Sequence, residues 1–372
     1  MRPNYCKKCV MSDQRPRIVF DAEGVCSACR YWEKKDVVID WEKREKELVE
    51  LLNRHRRSDG RFDVVVPSSG GKDSAYVAHV LKFRYNMNPL TVTWSPHLYT
   101  TIGWENFQGL ISSGLSNVLG TPDRVTHAKL TRVCTDQFGD PFQPFIYGQV
   151  NFPLRIALAY DIPLIMDGEN GEVEYGGEEQ TENLRGFSID DAESFWFSGL
   201  PVEFWKDFGF ESKDLYYYQS PKLSEMREKN IERHFFSYYK YWKPQDHFYY
   251  AMENTNFLPN PAGRSEGTYS KYASLDDKID PFHFYYMLLK FGIGRATSDA
   301  AHEIREGLIT RDEGVELVRK FDAEFPAKSR EVFMTYCGYE ESDFLASIDK
   351  WRNTDLWEKD SAGNWVLKYQ VE

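Results

Sequence analysis

The sequence predicts an α/β protein built on a parallel sheet, with a small metal-binding module before the sheet and a helical region after it. Three observations support this fold class. A β-branched run at 62–66 is followed by a Gly-rich turn and a helix at about 73–84. Two further apolar runs, at 89–94 and 162–167, alternate with helical patterns, as strands do in βαβ units. Two C-x-x-C pairs precede these elements, and amphipathic segments follow them.

Composition limits the classes of function. The 372 residues include 46 basic and 58 acidic side chains, which give a net charge of −12. This balance disfavours a general nucleic-acid binder, because neutralising phosphates needs a basic surface. The N-terminus lacks an apolar leader pattern, and no run approaches the ~18 apolar residues of a membrane span. We therefore expect a cytoplasmic protein with no nucleic-acid partner and no membrane span, whose six cysteines are metal ligands or free thiols.

The predicted elements divide the chain into four parts. A zinc ribbon (1–35), with a strand at 17–20 and a turn at 21–24, is followed by a linker (36–60) whose charges and leucines predict an amphipathic helix. An α/β domain (61–265) contains the three strands and a helix at 152–160, although 174–265 has no clear pattern. A mainly helical substrate or partner region (266–372) has helices at 281–291, 297–306 and 310–321, the last with a capping-box spelling, and a tail hairpin.

The most specific motif is Ser-Gly-Gly-Lys-Asp-Ser at 69–74, between the first predicted strand and its helix. Glycines let the backbone approach an anion, and the amides at a helix start point towards it. The order differs from a Walker A loop, and it resembles the S-G-G-x-D-S signature of the PP-loop ATP pyrophosphatases. We predict ATP contacts in this loop and, with a core position as an equal alternative, at one tryptophan: Ser68, Ser69, Gly70, Gly71, Lys72, Asp73, Ser74 and Trp94.

A second polar loop, at 167–171, follows the third predicted strand. Active sites of open α/β sheets gather at the carboxyl ends of strands, so this loop is expected to face the same crevice. An acidic residue beside a phosphate indicates Mg²⁺, and we predict Asp73 and Glu169 as its ligands. Together with Lys72 they form the core of the predicted catalytic set, and Asn170 is expected to contact the transferred group. An exposed acidic loop is the alternative.

Four cysteines form the predicted metal site: Cys6, Cys9, Cys26 and Cys29. Their spacing is typical of a zinc ribbon, in which four thiolates close the coordination sphere and the ion is structural. An iron–sulfur cluster uses the same ligands and remains the alternative. Cys134 and Cys337 stand alone and are expected to be buried thiols, since neither lies in the setting of a glutaminase nucleophile.

A polar block at 263–280 offers groups for a second substrate. Arg264, Lys271 and Lys278 suit phosphates, and Asp276 and Asp277 suit sugar hydroxyls or a proton. Lys271 also belongs to the predicted catalytic set. A solvated loop leading into a helix is the alternative interpretation.

In order along the chain, these blocks resemble the N-acetyl sugar amidotransferase family of bacterial lipopolysaccharide O-antigen and flagellin-glycan biosynthesis. The resemblance rests on Y-C-x-x-C-V-M, S-G-G-K-D-S, G-E-N-G-x-x-E-Y-G-G, R-S-E-G-T-Y-S-K-Y and K-F-G-I-G-R-A-T. Within these blocks it adds Tyr175, Glu266 and Tyr269 as expected substrate contacts.

The resemblance implies an enzyme that splits ATP to AMP and pyrophosphate, with Mg²⁺, and converts an acetamido group of a nucleotide-linked sugar into an acetamidino group. Because no glutaminase motif is present, separate glutaminase and ammonia-channel subunits, similar to those of the histidine pathway, are expected to supply ammonia. The rival interpretation is a PP-loop tRNA thiolase with a zinc ribbon, in which Cys134 would relay sulfur.

Overall fold

A five-stranded parallel sheet lies at the centre of the computed structural model, which describes residues 2–177, 181–188 and 200–372. The strands run in the order β3-β2-β1-β4-β5, with bounds β1 Val64–Pro67, β2 Pro89–Trp94, β3 Ser116–Gly120, β4 Leu164–Asp167 and β5 Glu232–Phe235. The order reverses between β1 and β4, so the loops after these two strands open into one crevice. The predicted α/β class with a parallel sheet is confirmed.

Helices precede, link and follow these strands. Those before the last strand of the sheet are α1 Ser27–Val37, α2 Trp41–His55, α3 Lys72–Phe83, α4 Thr101–Ser112, α5 Arg124–Phe138, α6 Gln143–Ala159, α7 Gly171–Tyr175, α8 Ser212–Leu215 and α9 Leu223–Glu228. Those after it are α10 Phe236–Tyr239, α11 Pro244–Asn254, α12 Asp280–Phe291, α13 Arg295–Arg305, α14 Arg311–Phe321, α15 Ala327–Cys337 and α16 Glu341–Trp351. Short 3₁₀ turns span Val202–Phe208 and Tyr216–Tyr218, and β6 Trp357–Lys359 pairs with β7 Trp365–Leu367 as the predicted hairpin.

Alternate residues of β1, the central strand, pack into two separate hydrophobic cores on opposite faces of the sheet. Val65 packs into the cluster formed with α6, whereas Val64 and Val66 pack on the other side against Leu48 of α2 and Leu81 of α3. Successive side chains of a strand point to opposite faces. A run of three valines is therefore what a strand covered by helices on both faces requires.

Most predicted helices are present with shifted ends. The helix expected at 152–160 already begins at Gln143, because Pro144 suits a first helical turn. The capping box is confirmed: the Thr310 hydroxyl accepts from the Glu313 amide at 3.3 Å, and the Glu313 carboxylate accepts from the Thr310 amide at 2.8 Å. None of the helices in the described ranges is both long and apolar enough to cross a membrane.

The sequence interpretation was wrong at one strand and missed two others. At 17–20 the backbone forms only an isolated bridge between Phe20 and Cys26, and Arg17 has a φ of +66°. The missed strands, β3 and β5, are the edge strands of the sheet. Their sequences, Ser-Asn-Val-Leu-Gly and Glu-Arg-His-Phe, are rich in polar residues, so they lack the apolar run that marked the central strands.

The cysteine module packs against the C-terminal helices. Val10 and Met11 share an apolar cluster with Ile293, Ala300 and Val315. Arg305 of α13 is 9% exposed, and its guanidinium lies 3.9 Å from the Cys9 sulfur and donates to the Glu174 carbonyl at 2.8 Å. The cysteine module and helix α13 are thus joined beside the segment that follows β4.

Candidate active site

The turn after β1 is shaped by its own hydroxyl groups. Ser68 donates to the Ser74 hydroxyl at 2.9 Å, and Ser74 donates to the Gly71 carbonyl at 3.1 Å. Gly70 has a φ of +90°, and a Cβ there would lie 2.7 Å from Cα of Phe107, so only glycine fits. Helix α3 begins at Lys72, directly after the turn. Unpaired amides at the start of a helix make such a turn suited to an anion.

Asp73 is held from two sides. Lys72 forms an ion pair with it, and Nδ1 of His247 donates to its other oxygen at 2.9 Å. His247 in turn stacks on Tyr76, with ring centroids 4.1 Å apart. Burial alone would raise the pKa of Asp73, but the Lys72 charge and the His247 hydrogen bond hold that pKa well below its usual value. Asp73 is therefore an ionised, oriented carboxylate.

Glu169 follows β4 and lines the same cavity as Asp73, a space of about 280 Å³. Burial, and then the charge of Asp73, raise the pKa of Glu169 to about 7. Mg²⁺ in nucleotide sites usually binds one or two carboxylates together with phosphate oxygens. The donor set of Asp73 and Glu169 fits that ion, and a cation between them would relieve their mutual repulsion.

Arg233 of β5 forms a wall of this cavity. Its guanidinium donates to both Asp167 oxygens, at 2.6 and 2.9 Å, and to the Val150 carbonyl at 3.0 Å. A bidentate pair of this kind fixes both partners. Asp167 opens the loop that carries Glu169, so the pair sets where that carboxylate lies.

Trp94 lines a second cavity of about 250 Å³ on the other side of Ser69. Apolar groups from β2 and α6, including Val92 and Phe145, form much of its lining. Trp94 is buried in the core and has no hydrogen-bond partner for Nε1 among the described residues. Trp94 is therefore a core residue that also borders an apolar cavity beside the turn, and its contact with ATP stays a prediction.

A third cavity, of about 190 Å³, lies between the turn and the C-terminal part of the chain. Its lining includes Lys72, Asp276 and Arg295. Burial, and then Asp280, raise the pKa of Asp276 to about 6. Ser69 lines all three cavities, so the turn is the point where they meet.

Two predicted phosphate or substrate contacts are paired with other side chains of the protein. Arg264 forms a bidentate ion pair with Glu324, at 2.6 and 2.9 Å. The Tyr269 hydroxyl donates to Glu303 at 2.8 Å. Neither side chain lines the three cavities around the turn.

The remaining residues of the polar block divide in the same way. Asp276 reaches the turn, whereas Asp277 accepts from the amide and Nδ1 of His97, both at 2.7 Å, and fixes the chain at β2. Glu266 accepts from a backbone amide of α15. Lys271 and Lys278 are exposed and line none of the three cavities.

The two predicted contacts after Glu169 lie deeper in the protein. Asn170 is buried, caps α7 by accepting from the Glu172 amide at 3.2 Å, and so orients the loop. Tyr175 meets the ring of His302 edge-on at 4.5 Å, and burial and then the charge of Glu169 raise its pKa. Tyr175 therefore lies between the second loop and helix α13.

The four cysteine sulfurs lie within 4.8 Å of one another. Cys6 and Cys29 sulfurs are 3.9 Å apart, and Cys9 and Cys26 sulfurs are 3.7 Å apart. A tetrahedral Zn–S₄ site with bonds of ~2.3 Å places its sulfurs ~3.8 Å apart. The donors fit one tetrahedral ion and are too close to surround a multi-iron cluster.

The two single cysteines are buried. Cys134 is 0% exposed within the core on one face of the sheet, and burial raises the pKa of its thiol well above the usual value. Burial raises the pKa of Cys337 as well. A buried, protonated thiol is a poor nucleophile, so neither residue suits a sulfur relay.

A larger cavity, of about 660 Å³, opens between the cysteine module and α12. Arg15, Arg17 and Lys290 line it together with Asp140 and Glu172. Arg15 also lies over the ring of Tyr175, 5.8 Å from its centroid. This space therefore borders the segment that follows Glu169.

Residues 266–371 match the family described as LPS biosynthesis protein WbpG-like, C-terminal domain. The C-terminal segment of this chain is WbpG-like. The predicted resemblance is thus confirmed, and the matched segment includes Asp276 and Arg295 of the cavity beside the turn.

Other similarities cover less or are weaker. An uncharacterized protein of Methanocaldococcus jannaschii is 30% identical over 88 residues, and this chain spans 31% of that relative's length. An NH₃-dependent NAD synthetase from Campylobacter jejuni is 15% identical, with a TM-score of 0.31 over 50% of this chain and 80% of its own. An NMN synthetase from Francisella tularensis is 10% identical, with a TM-score of 0.27 over 60% of this chain and 99% of its own. Structural similarities with TM-scores this low give no information about the reaction of this protein.

Sequence reasoning missed several groups at the site. His247, Arg233 and Arg295 reach the turn or its cavities from elements far along the chain. His247 and Arg233 fall in the segment without a recognisable pattern, which left no signal for them. Arg295 stands in the block Lys-Phe-Gly-Ile-Gly-Arg-Ala-Thr, which marked the family and not a role for any single residue.

Proposed function

We propose that this protein is an ATP-dependent amidotransferase that acts on a nucleotide-linked N-acetyl sugar. It transfers AMP to the acetamido oxygen and replaces that oxygen by ammonia, which gives an acetamidino group for a lipopolysaccharide O-antigen or a flagellin glycan. The observation that carries the proposal is the S-G-G-K-D-S turn at the β1–β4 reversal, with Asp73 and Glu169 on one cavity. The WbpG-like C-terminal domain supports the class of pathway.

The three cavities that meet at Ser69 suggest how ATP lies in the site. Adenine occupies the apolar space beside Trp94, and the β- and γ-phosphates rest on the turn, where amides and Lys72 offset their charge. Mg²⁺ held by Asp73 and Glu169 would supply further countercharge for departing pyrophosphate. His247 keeps Asp73 oriented for this role.

Activation is needed because an amide is a poor electrophile and its oxygen is a poor leaving group. Attack of the acetamido oxygen on the α-phosphorus forms an O–P bond, breaks the bond to pyrophosphate and releases the amide N–H proton to solvent, which leaves a neutral imidate. The nitrogen of ammonia then forms a bond to the imidate carbon, and the C–O bond breaks with its electrons going to AMP. The former acetyl oxygen therefore leaves in AMP, and the third proton of ammonia stays on the amidinium product.

The acceptor sugar reaches the turn from the C-terminal side. Asp276 and Arg295 wall the cavity beside Lys72, where a carboxylate and a guanidinium can bind sugar hydroxyls and an amide. The larger cavity lined by Arg15 and Lys290 is of a size suited to a nucleotide. Lys271 and Lys278, exposed on the same segment, are proposed contacts for the acceptor's phosphates.

Ammonia is proposed to come from separate glutaminase and channel subunits. Both single cysteines are buried in the core clusters, which supports an external source, since a glutaminase nucleophile has to be accessible. The isolated chain should use ammonium salts and should not use glutamine. Equal use of glutamine by the purified chain would contradict this part of the proposal.

The test follows the acetyl oxygen. The purified chain is incubated with ATP, Mg²⁺, ammonium and nucleotide diacetamido sugars whose acetyl groups carry a heavy oxygen isotope. We expect AMP and pyrophosphate, with the label in AMP and a sugar in which NH replaces oxygen. Formation of ADP and phosphate, or unlabelled AMP with an aminated sugar, would refute the mechanism.

A matched pair of lysine variants locates the chemistry. Lys72→Met is expected to lower kcat roughly a hundred- to thousand-fold, because it removes countercharge at the turn. Lys213→Met changes a side chain that is 75% exposed on α8 and should leave kcat unchanged. Equal activities of the two variants would show that the turn does not take part in the reaction.

A further inference from the structure

Helix α13 carries a pair of buried polar side chains without partners. His302 is 7% exposed, and the side chain of Glu306 is 3% exposed. Neither ring nitrogen of His302, nor Oε1 of Glu306, makes a hydrogen bond with any residue in the described ranges. The nearest approach between the two is 4.0 Å, from Nδ1 to Oε1. Buried polar atoms are nearly always satisfied, so this pair indicates a small bound molecule.

A negative charge on Glu306 is unfavourable for two reasons, its place at the end of a helix and its burial. Glu306 is the C-cap residue of α13, where the helix dipole disfavours a negative charge. Burial raises the pKa of Glu306 to about 7, even though Lys35, Lys72 and Arg305 act in the opposite direction. A carboxylate kept at this position is suited to exchanging a proton near neutral pH.

The surroundings of the pair are aromatic and cationic. Tyr175 places its ring edge-on to His302 at 4.5 Å, and burial, followed by Arg305, lowers the pKa of His302 well below its usual value. The imidazole is therefore neutral and offers an acceptor nitrogen. Lys35, whose charge also lowers the pKa of His302, is itself fully buried in an ion pair with Glu174. The charge of Asp246 acts together with burial to raise the pKa of Glu306.

We infer that His302 and Glu306 form the binding site of the ammonia nucleophile. The inference rests on the proposed function and names the residues that bind ammonia, the substrate that reacts after ATP and the sugar. Two groups 4.0 Å apart can both contact one molecule at ~2.8 Å, which is hydrogen-bond distance. An ammonium ion has four N–H donors, and a carboxylate, a neutral imidazole and a nearby aromatic ring are suitable partners.

The proton balance is simple. Ammonium arrives, one N–H bond breaks, and its proton passes to the Glu306 carboxylate, which leaves neutral ammonia with a free electron pair. The cationic neighbours Lys35, Lys72 and Arg305 favour the neutral form over ammonium. Glu306 later returns the proton to solvent. Tyr175 lies in helix α7, shortly after Glu169, and contacts His302, so it connects the pair to the loop that carries Glu169.

The experiment measures the KM for ammonium in the zinc-loaded protein. Glu306→Gln and His302→Gln are assayed with ammonium chloride as the only nitrogen source. Loss of a charge-assisted contact is expected to raise the KM for ammonium roughly ten- to a hundred-fold, with the KM for ATP unchanged. Glu316→Gln, on the exposed side of α14, removes the same charge and should have no effect.

A second measurement separates this inference from the proposed function. Sugar-dependent exchange of pyrophosphate into ATP, run without ammonium, reports only the adenylation step and also shows that the variants are folded. Exchange should be the same in wild type and both variants. An unchanged KM for ammonium, or a loss of exchange in the variants, would overturn the inference and indicate a water-filled or purely structural pair. Absence of exchange in the wild type would instead overturn the proposed function, and this inference with it.

Discussion

Replacing Gly70 by alanine tests whether the turn after β1 is shaped as described. At a φ of +90°, a Cβ costs about 1–2 kcal/mol of backbone strain. The new methyl group would also lie 2.7 Å from Cα and 2.8 Å from the amide nitrogen of Phe107 in α4. Both are backbone atoms, so relief needs a shift of the turn or of the helix, which adds about 1–3 kcal/mol. The free energy of unfolding should therefore fall by about 2–5 kcal/mol.

The neighbouring glycine provides the control. Gly71 has a φ of −66°, and a Cβ added there would have the Ser69 hydroxyl oxygen, at 3.4 Å, as its nearest neighbour. Gly71→Ala therefore meets ordinary contacts, and its lower unfolded-state entropy offsets the weaker N-cap. Its free energy of unfolding should stay within about 0.5 kcal/mol of wild type.

The two variants are compared by urea unfolding followed by tryptophan fluorescence, and by calorimetric titration with ATP. Gly70→Ala should lose stability and bind ATP at least about tenfold more weakly, since relief of the contact moves the amides of the turn. Equal stability of the two variants, or wild-type ATP affinity in Gly70→Ala, would refute the close packing of this turn on α4.

Three further outcomes are expected. Removing the metal with a chelator should lower the Tm by more than about 5 °C, and zinc should restore it, as followed by calorimetry. Because burial raises the pKa of Asp276 to about 6 from an ordinary 3.8, ionisation destabilises the folded state as pH rises through this range. Asp276→Asn should thus stabilise the ligand-free protein by about 1–2 kcal/mol at pH 7 and by much less at pH 4, measured by urea unfolding. Cys134→Ala should keep its kcat in the labelled-oxygen assay, since the thiol is buried and protonated; loss of activity would favour a sulfur relay.

The central part of the fold was accessible from sequence because its physical causes are local. A strand buried on both faces is made mainly of apolar and β-branched residues, so β1, β2 and β4 were recognisable. The glycine-rich turn could be recognised from its sequence, because the positive φ at Gly70 favours glycine over every other residue. The edge strands β3 and β5 are stabilised by their neighbours in the sheet, and their polar sequences do not show this.

Site residues could be predicted from the sequence only where they lie in a short motif that follows a recognisable strand. Lys72, Asp73 and Glu169 lie in or directly after the turns that follow strands β1 and β4. These turns are at the carboxyl edge of the sheet, where active-site residues of open α/β sheets are usually found. Arg264 and Tyr269 carry suitable chemistry, but the fold pairs them with Glu324 and Glu303. Those pairings depend on helices packed from elsewhere in the chain, which a local pattern does not report.

The start of helix α4 and the polar block are in contact. A Cβ at Gly103 would lie 2.4 Å from Cα of Asp276, so there is no room for a side chain between the two backbones. The same contact positions Asp276 beside the turn after β1. Exchanging the WbpG-like C-terminal segment between related chains would therefore require Gly103 and Asp276, which form this contact, to be transferred together. A chimera that keeps one of these residues and imports a bulkier partner would displace Asp276 from the cavity beside the turn.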